Sequence, residues 1–234
     1  MQNNWKKIWN KIAKSAKHYD LKDLMALNGH SSYTSKINIK EWIKYTNFFI
    51  KKYKIKKKHK ILEIGCGCGA FLLPFYKKGI KCMGIDYSNN HIKIAKSLMP
   101  SAKFYYCEAI NLKKIEKNKF DFIFINSIFQ YFPNLNYAKK VLLQIFKISN
   151  SNTKIFILDI PDKKKFKNWK SSIIKKIGIE NYINAYKHSK HLFYQKDWFF
   201  NFLKKKKLKV TIKNQNLIKK ENSKYRFNIF ITYE

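Results

Sequence analysis

Gly65, Gly67 and Gly69 stand at alternate positions, separated by Cys66 and Cys68, directly after the apolar run 61–64. Glycines so spaced let a backbone bend tightly and approach a ligand with no Cβ in the way. Ala70, Phe71, Leu72 and Leu73 read as the start of a helix, predicted over 70–77, whose first amides favour an electronegative group. Asp86 closes a second apolar run and lies 21 residues beyond Gly65. An acid at that separation is placed to accept hydrogen bonds from both hydroxyls of a ribose. A strand, a glycine turn, a helix and then this acid make a nucleoside-cofactor site. The spacing is G-x-G-x-G, not the G-x-G-x-x-G that wraps a dinucleotide pyrophosphate.

The acids narrow the reading further. Of 14 Asp and Glu, five (Glu63, Asp86, Glu108, Asp121 and Asp159) fall in or beside apolar runs that alternate with helical patterns. Strands are predicted near 60–64, 81–85, 103–107, 120–125 and 154–158, and helices near 70–77, 89–98 and 135–148. Such alternation predicts a parallel sheet with helices on both faces and a ligand beyond the C-terminal strand ends. Those ends carry Glu63, Asp86, Glu108, Asn126 and Asp159.

Four segments taken together resemble a family. The run Glu63-x-Gly65-x-Gly67-x-Gly69, Asp86, the Cys107-Glu108-Ala109 stretch and the Phe120-Asp121 run through Ser127 are similar to the motifs of class I S-adenosylmethionine (SAM)-dependent methyltransferases, in order. The resemblance implies a doubly wound α/β Rossmann-like sheet, seven-stranded and mostly parallel, with an antiparallel last strand and SAM as cofactor. It implies that Gly65, Cys66, Gly67 and Gly69 approach the methionyl part and that Glu63 steadies the loop or the cofactor's amino group. Asp86 would hold the ribose, Tyr87 the adenine face, Glu108 and Ala109 the adenine edge, and Asn126 the ammonium.

Around that core, residues 1–54 are expected as an N-terminal helical lid. Trp5, Ile8, Trp9 and Ile12 recur at helical spacing, a polar link holds Asn28, Gly29, His30 and Tyr33, and Asn38 with Glu41 forms a capping-box pattern. Residues 55–162 form the SAM-binding core, 163–200 a substrate-side helical insertion, and 201–234 the closing strands. Methyl transfer needs chiefly an aligned acceptor; a hydroxyl acceptor usually also needs a base. His191 is the first candidate base, His30 the second, and Tyr131 the third catalytic candidate. Gln130, Tyr33, Tyr194 and Arg226 are the substrate-side candidates, with Arg226 either holding an acidic substrate group or pairing with a carboxylate. No metal is expected, since Cys66 and Cys68 lack a second ligand pair.

The expected function is SAM-dependent methylation of a small-molecule acceptor, a saccharide or metabolite hydroxyl. The alternatives are a nucleic-acid or other polyanion methyltransferase and a non-catalytic SAM-binding module. The net charge of +36 supports a polyanion. Against it, Arg226 is the one arginine, and lysine is spread through the chain beside Asn and Ile, as AT-rich codons produce. The chain also lacks the [DN]-P-P-[YF] run of base-amino enzymes. Hydrophobic residues, at 45%, suffice for one core, and no run approaches a membrane span or a secretory signal, so a cytoplasmic enzyme is expected. Oligomeric state carries no signal.

Overall fold

A computed structural model describes residues 5–12, 19–31, 36–112, 115, 120–187, 190–204 and 206–234. Seven strands form one sheet: β1 (Lys60–Ile64), β2 (Lys81–Asp86), β3 (Lys103–Tyr106), β4 (Phe122–Asn126), β5 (Lys154–Pro161), β6 (Leu208–Asn214) and β7 (Arg226–Tyr233). Their order is β3-β2-β1-β4-β5-β7-β6. Strands β1 to β5 pair in parallel, and β7 runs antiparallel to both β5 and β6. The chain order reverses between β1 and β4, the place where open α/β sheets bind ligands.

Alternation along β4 and β5 explains why both faces are covered. Phe122, Phe124, Phe156 and Leu158 enter one core; Ile123, Ile125, Ile155 and Ile157 enter the other. The phenylalanine side receives α3 (Ile39–Lys52), whose Phe49 ring lies 5.1 Å from Phe124 and 5.2 Å from Phe156. It also receives α4 (Leu73–Tyr76) and α5 (Asn89–Leu98). The isoleucine side receives α6 (Leu135–Ile148) and α9 (Lys196–Leu203). Asn38 caps α3 by accepting from the Glu41 N–H, while the Glu41 carboxylate turns to Lys44 instead of closing a capping box.

Helix α1 (Trp5–Ile12) and helix α2 (Leu21–Leu27) precede the sheet, and α7 (Phe166–Ile177) and α8 (Ile179–Tyr186) follow β5. The expected helical spacing of Trp5, Ile8, Trp9 and Ile12 spans α1, and Tyr33 lies outside the described residues. One expected element is shorter: helix 70–77 is a single turn, α4. Pro74 supplies no amide, and the amides of Gly67 and Gly69 are already bound to Asp86 and Cys66. Among the described residues no helix is long and apolar enough to cross a membrane.

Candidate active site

The cleft above the β1–β4 switch starts at a loop that only glycine can follow. Gly65 and Gly67 have φ of +76° and +53°, the left-handed region. A side chain on Gly65 would strike Ile128, and one on Gly67 would strike Asn28 at 2.2 Å. Gly69 serves packing instead: a Cβ there would meet Met99 of the C-cap of α5, and Gly69 does not line the cleft. The Cys66 thiol likewise turns inward against Gly84. The Cys66 thiol and the Gly69 Cα thus pack the turn, while Gly65 and Gly67 line the cleft. The expected helix start is corrected: α4 begins only at Leu73.

Asp86 ends β2 with Oδ2 accepting from the Gly67 N–H at 2.9 Å and Oδ1 from the Ser88 N–H at 2.8 Å. One carboxylate thus fixes the glycine turn and the start of α5, and each oxygen keeps acceptor capacity for a hydroxyl. Glu63 ends in the same cavity with Oε2 buried and unpartnered among the described residues. Burial, and then the Asp86 charge, push the Glu63 carboxyl well above its ordinary range. Burial also raises Asp86. Two buried acids without a cation between them favour a positively charged ligand.

Asn126 at the end of β4 accepts from the Tyr45 hydroxyl at 3.2 Å and lines this cavity, as does Tyr87, whose hydroxyl is buried without a partner among the described residues. Glu108 and Ala109 line an adjoining hollow of about 210 Å³ with Tyr87 and Tyr131; Glu108 there pairs with Lys6 of α1 at 2.9 Å. Tyr131 also borders a third hollow, of about 280 Å³, beyond the central cavity. A further hollow of about 780 Å³ lies at the opposite sheet edge, where Lys60, Lys81 and Lys103 begin their strands and no acid lines it among the described residues.

Residues of the N-terminal segment roof the cleft. The Asn28 amide bridges the glycine turn, donating to the Cys66 carbonyl at 3.2 Å and accepting from the Cys68 N–H at 3.0 Å. Trp9 lies edge-on to Tyr131 and His91, and Trp5 stacks on His191 with centroids 5.1 Å apart. The central cavity beneath is about 60 Å³, below the roughly 300–1,000 Å³ of ligand pockets.

The third hollow holds the candidate acceptor groups. A β-bulge between Ile157 and Ile160 puts Asp159 at φ +62° and turns it off the β5–β7 ladder. Asp159 Oδ2 accepts from the Ser127 hydroxyl and from Lys220 Nζ at 2.5 Å. Arg226 Nη1 donates to the Asp159 carbonyl at 2.8 Å and to Gln130 Oε1 at 3.2 Å, and lies 3.5 Å from Asp159 Oδ2. Burial would raise Asp159, yet Arg226 and Lys220 outweigh it and hold the carboxyl at about 2. Gln130 is buried, its Nε2 donating to the Ser127 carbonyl at 2.5 Å.

His30 and His191 border the same hollow, each with Nδ1 buried and unpartnered among the described residues. Burial, then the charges of Lys220 for His30 and of Arg226 for His191, lower both to about 3. Both rings are neutral at physiological pH. Tyr194 is not brought to the site: it is fully buried, and its hydroxyl donates to the Phe129 carbonyl at 2.8 Å. Its expected substrate contact is corrected to a core tie between the insertion and the turn after β4.

A paired-acid cavity, a turn bare of Cβ atoms and a ribose-spaced Asp86 fit SAM: a cationic nucleoside. Residues 55–221 match a family described as a methyltransferase domain. The chain belongs to that family. This methyltransferase is 28% identical over 188 residues to the ubiquinone biosynthesis O-methyltransferase of Pelagibacter ubique, covering 77% of this chain and 72% of that one. It matches the plantazolicin methyltransferase BpumL, solved with S-adenosylhomocysteine (SAH), at 20% identity and TM-score 0.62, over 97% and 96% of the two chains. The magnesium protoporphyrin IX methyltransferase of Synechocystis PCC 6803, solved with SAM, matches at 10% identity and TM-score 0.59, over 97% and 90%. Over 43% of its length the chain is also 29% identical to the nonribosomal peptide synthetase TES of Alternaria alternata, of which it spans 2%. SAM is the cofactor of this methyltransferase. Asn28, Trp9, Trp42 and Lys220 were not foreseen at the site, and a lysine among so many carries no sequence signal.

Proposed function

We propose that this enzyme methylates the hydroxyl oxygen of a small-molecule acceptor held in the hollow between α1, His191 and Arg226. The observation that carries the reading is a pair of neutral imidazoles, His30 and His191, that share one hollow, each with a shielded Nδ1 unpartnered among the described residues, His30 also lining the cofactor cavity. Asp86, Gly65, Gly67, Glu63, Tyr87, Glu108, Ala109 and Asn126 would hold SAM. Bound there, SAM would supply an electrophilic methyl group for the acceptor oxygen, with its sulfur as the leaving group that keeps the electron pair. His191 takes the hydroxyl proton, with His30 as the second base and Tyr131 bordering all three hollows. Within the expected lid of residues 1–54, α3 belongs to the core, and it is the part before it that acts as a lid, Trp5, Trp9 and Asn28 keeping water from the reacting atoms, while residues 163–200 close the acceptor side. The Pelagibacter relative is an O-methyltransferase, which supports oxygen as the acceptor atom.

A hollow of about 280 Å³ suits a metabolite. Four free, buried thiols suit a reducing compartment, and we assign the enzyme to the cytoplasm. The test is a transfer assay with labelled SAM against matched phenols, alcohols and amines. Oxygen acceptors should be methylated, and His191→Gln should cut kcat by roughly 10²–10⁴-fold with SAH affinity kept. Transfer to amines alone, or an unchanged kcat in that variant, defeats the reading. Nucleic-acid affinity that falls steeply with salt, with methyl transfer to that polymer, would establish the alternative.

A further inference from the structure

We propose that the acceptor is an anion: a small planar molecule whose carboxylate is held by Arg226 and Lys220 at the floor of the hollow beneath α1. This rests on the methyl-transfer reading above and adds the class of its acceptor.

The argument is a charge inventory. Among the described residues lining the hollow, the ionised groups are Asp159, Lys220 and Arg226. All three are nine-tenths or more buried. Two cations share one carboxylate, so one buried positive charge is uncompensated, and a buried charge without a partner favours an arriving counter-ion. Asp159 Oδ2 is spent on Ser127 and Lys220. Arg226 spends only Nη1 among the described residues, on Gln130 and the Asp159 carbonyl. Its Nε and Nη2 edge keeps two parallel N–H donors, the geometry that grips a carboxylate at two points.

The walls set the shape. Trp5, Tyr131 and Tyr186 surround His191 with ring centroids 5.1, 5.6 and 5.4 Å from it. Such walls receive a flat ring, and by themselves would also receive a cationic amine. The surplus charge of Arg226 and Lys220 decides between them, and the sulfonium expected next door adds to the repulsion of a cation. An anion entering here also lies near the unpartnered His30 and His191 nitrogens, where its hydroxyl can be met.

The test is calorimetric titration of the wild-type protein at pH 7.5. SAH is titrated first, and its failure to bind overturns the methyltransferase reading and this inference with it. The SAH-loaded protein is then titrated with 4-hydroxybenzoate, 4-hydroxybenzamide and tyramine, which share a phenol and differ in charge. The expected result is 4-hydroxybenzoate binding at least about 10-fold tighter than the amide, with tyramine weakest. Equal affinities, the reverse order, or no binding by any of the three to SAH-loaded protein overturns the proposal while leaving the methyltransferase reading standing. Arg226→Gln should bring the acid and the amide within about 2-fold, and Arg226→Lys should keep a preference for the acid. A preference unchanged in Arg226→Gln, or a loss of SAH affinity by a variant that keeps its thermal transition, assigns the charge elsewhere and overturns it.

Discussion

At one end of the cleft Glu63 and Asp86 share a buried cavity, and the Asp86 charge helps to push the Glu63 carboxyl upward. At the other end a single carboxylate, Asp159, stands between Lys220 and Arg226 and is held low. The first cluster comes from one stretch of chain, 63–86; the second joins residues from 30 to 226. In the reading proposed above, the acidic end receives the cationic nucleoside and the cationic end would repel it.

The comparison breaks most sharply at Asp159. Asp159→Asn leaves Lys220 and Arg226 buried without a counter-charge and should cost about 3–5 kcal/mol, read as a lower urea midpoint. Asp86→Ala acts at the other end. It should weaken SAH binding by about 100-fold or more, about 2.7 kcal/mol, in calorimetry, with the far-ultraviolet spectrum unchanged. Binding within a few-fold of wild type would remove Asp86 from the ribose.

Acid separates the two ends by pH. His30 and His191 sit at about 3 in the fold against an ordinary 6.5. The unfolded chain therefore binds their protons first. The stability they represent is complete above pH 6.5 and falls as pH drops from 6.5 toward 3, by about 1.4 kcal/mol per unit for each histidine. Asp159, lowered to about 2 from 3.8, keeps its contribution until below pH 3.8. Glu63, raised, has the opposite sign: its ionisation opposes folding above its ordinary 4.5, and protonation relieves that. The Tm should thus decline from pH 6.5 downward, and the double variant His30→Asn, His191→Asn should flatten that slope.

The smallest effect is expected at Glu108, half exposed and paired with half-exposed Lys6. Glu108→Gln should shift SAH affinity by less than about 5-fold, as exposed pairs contribute roughly 0–1 kcal/mol. A loss matching that of Asp86→Ala would make the adenine edge as strong an anchor as the ribose.

The acidic end was legible because its parts are local. The glycine turn, the acid 21 residues on and the alternating apolar runs are set by short-range backbone geometry, and the strand order follows from their alternation. The cationic end was read only in outline. Arg226 stood out by being the one arginine, but Lys220 meets Asp159 across 61 residues, and Asn28 meets Cys68 across 40. No periodicity encodes such pairings. Tyr194 misled because an aromatic in a polar insertion reads alike whether it faces a ligand or a carbonyl of the core. The glycine motif marks the turn without saying that Gly65 and Gly67 line the cleft while the Cys66 thiol packs inward.

Asn28 turns the N-terminal arm into a tethered competitor. Its amide already satisfies the Cys66 carbonyl and the Cys68 N–H on either side of Gly67, and its side chain fills the space that a Cβ on Gly67 would need. If Asn28 must leave the turn before the cofactor enters, the apparent dissociation constant is the intrinsic one divided by the fraction of molecules in which it has left. Were that fraction one in a hundred, a tight cofactor would look about 100-fold looser than its contacts warrant.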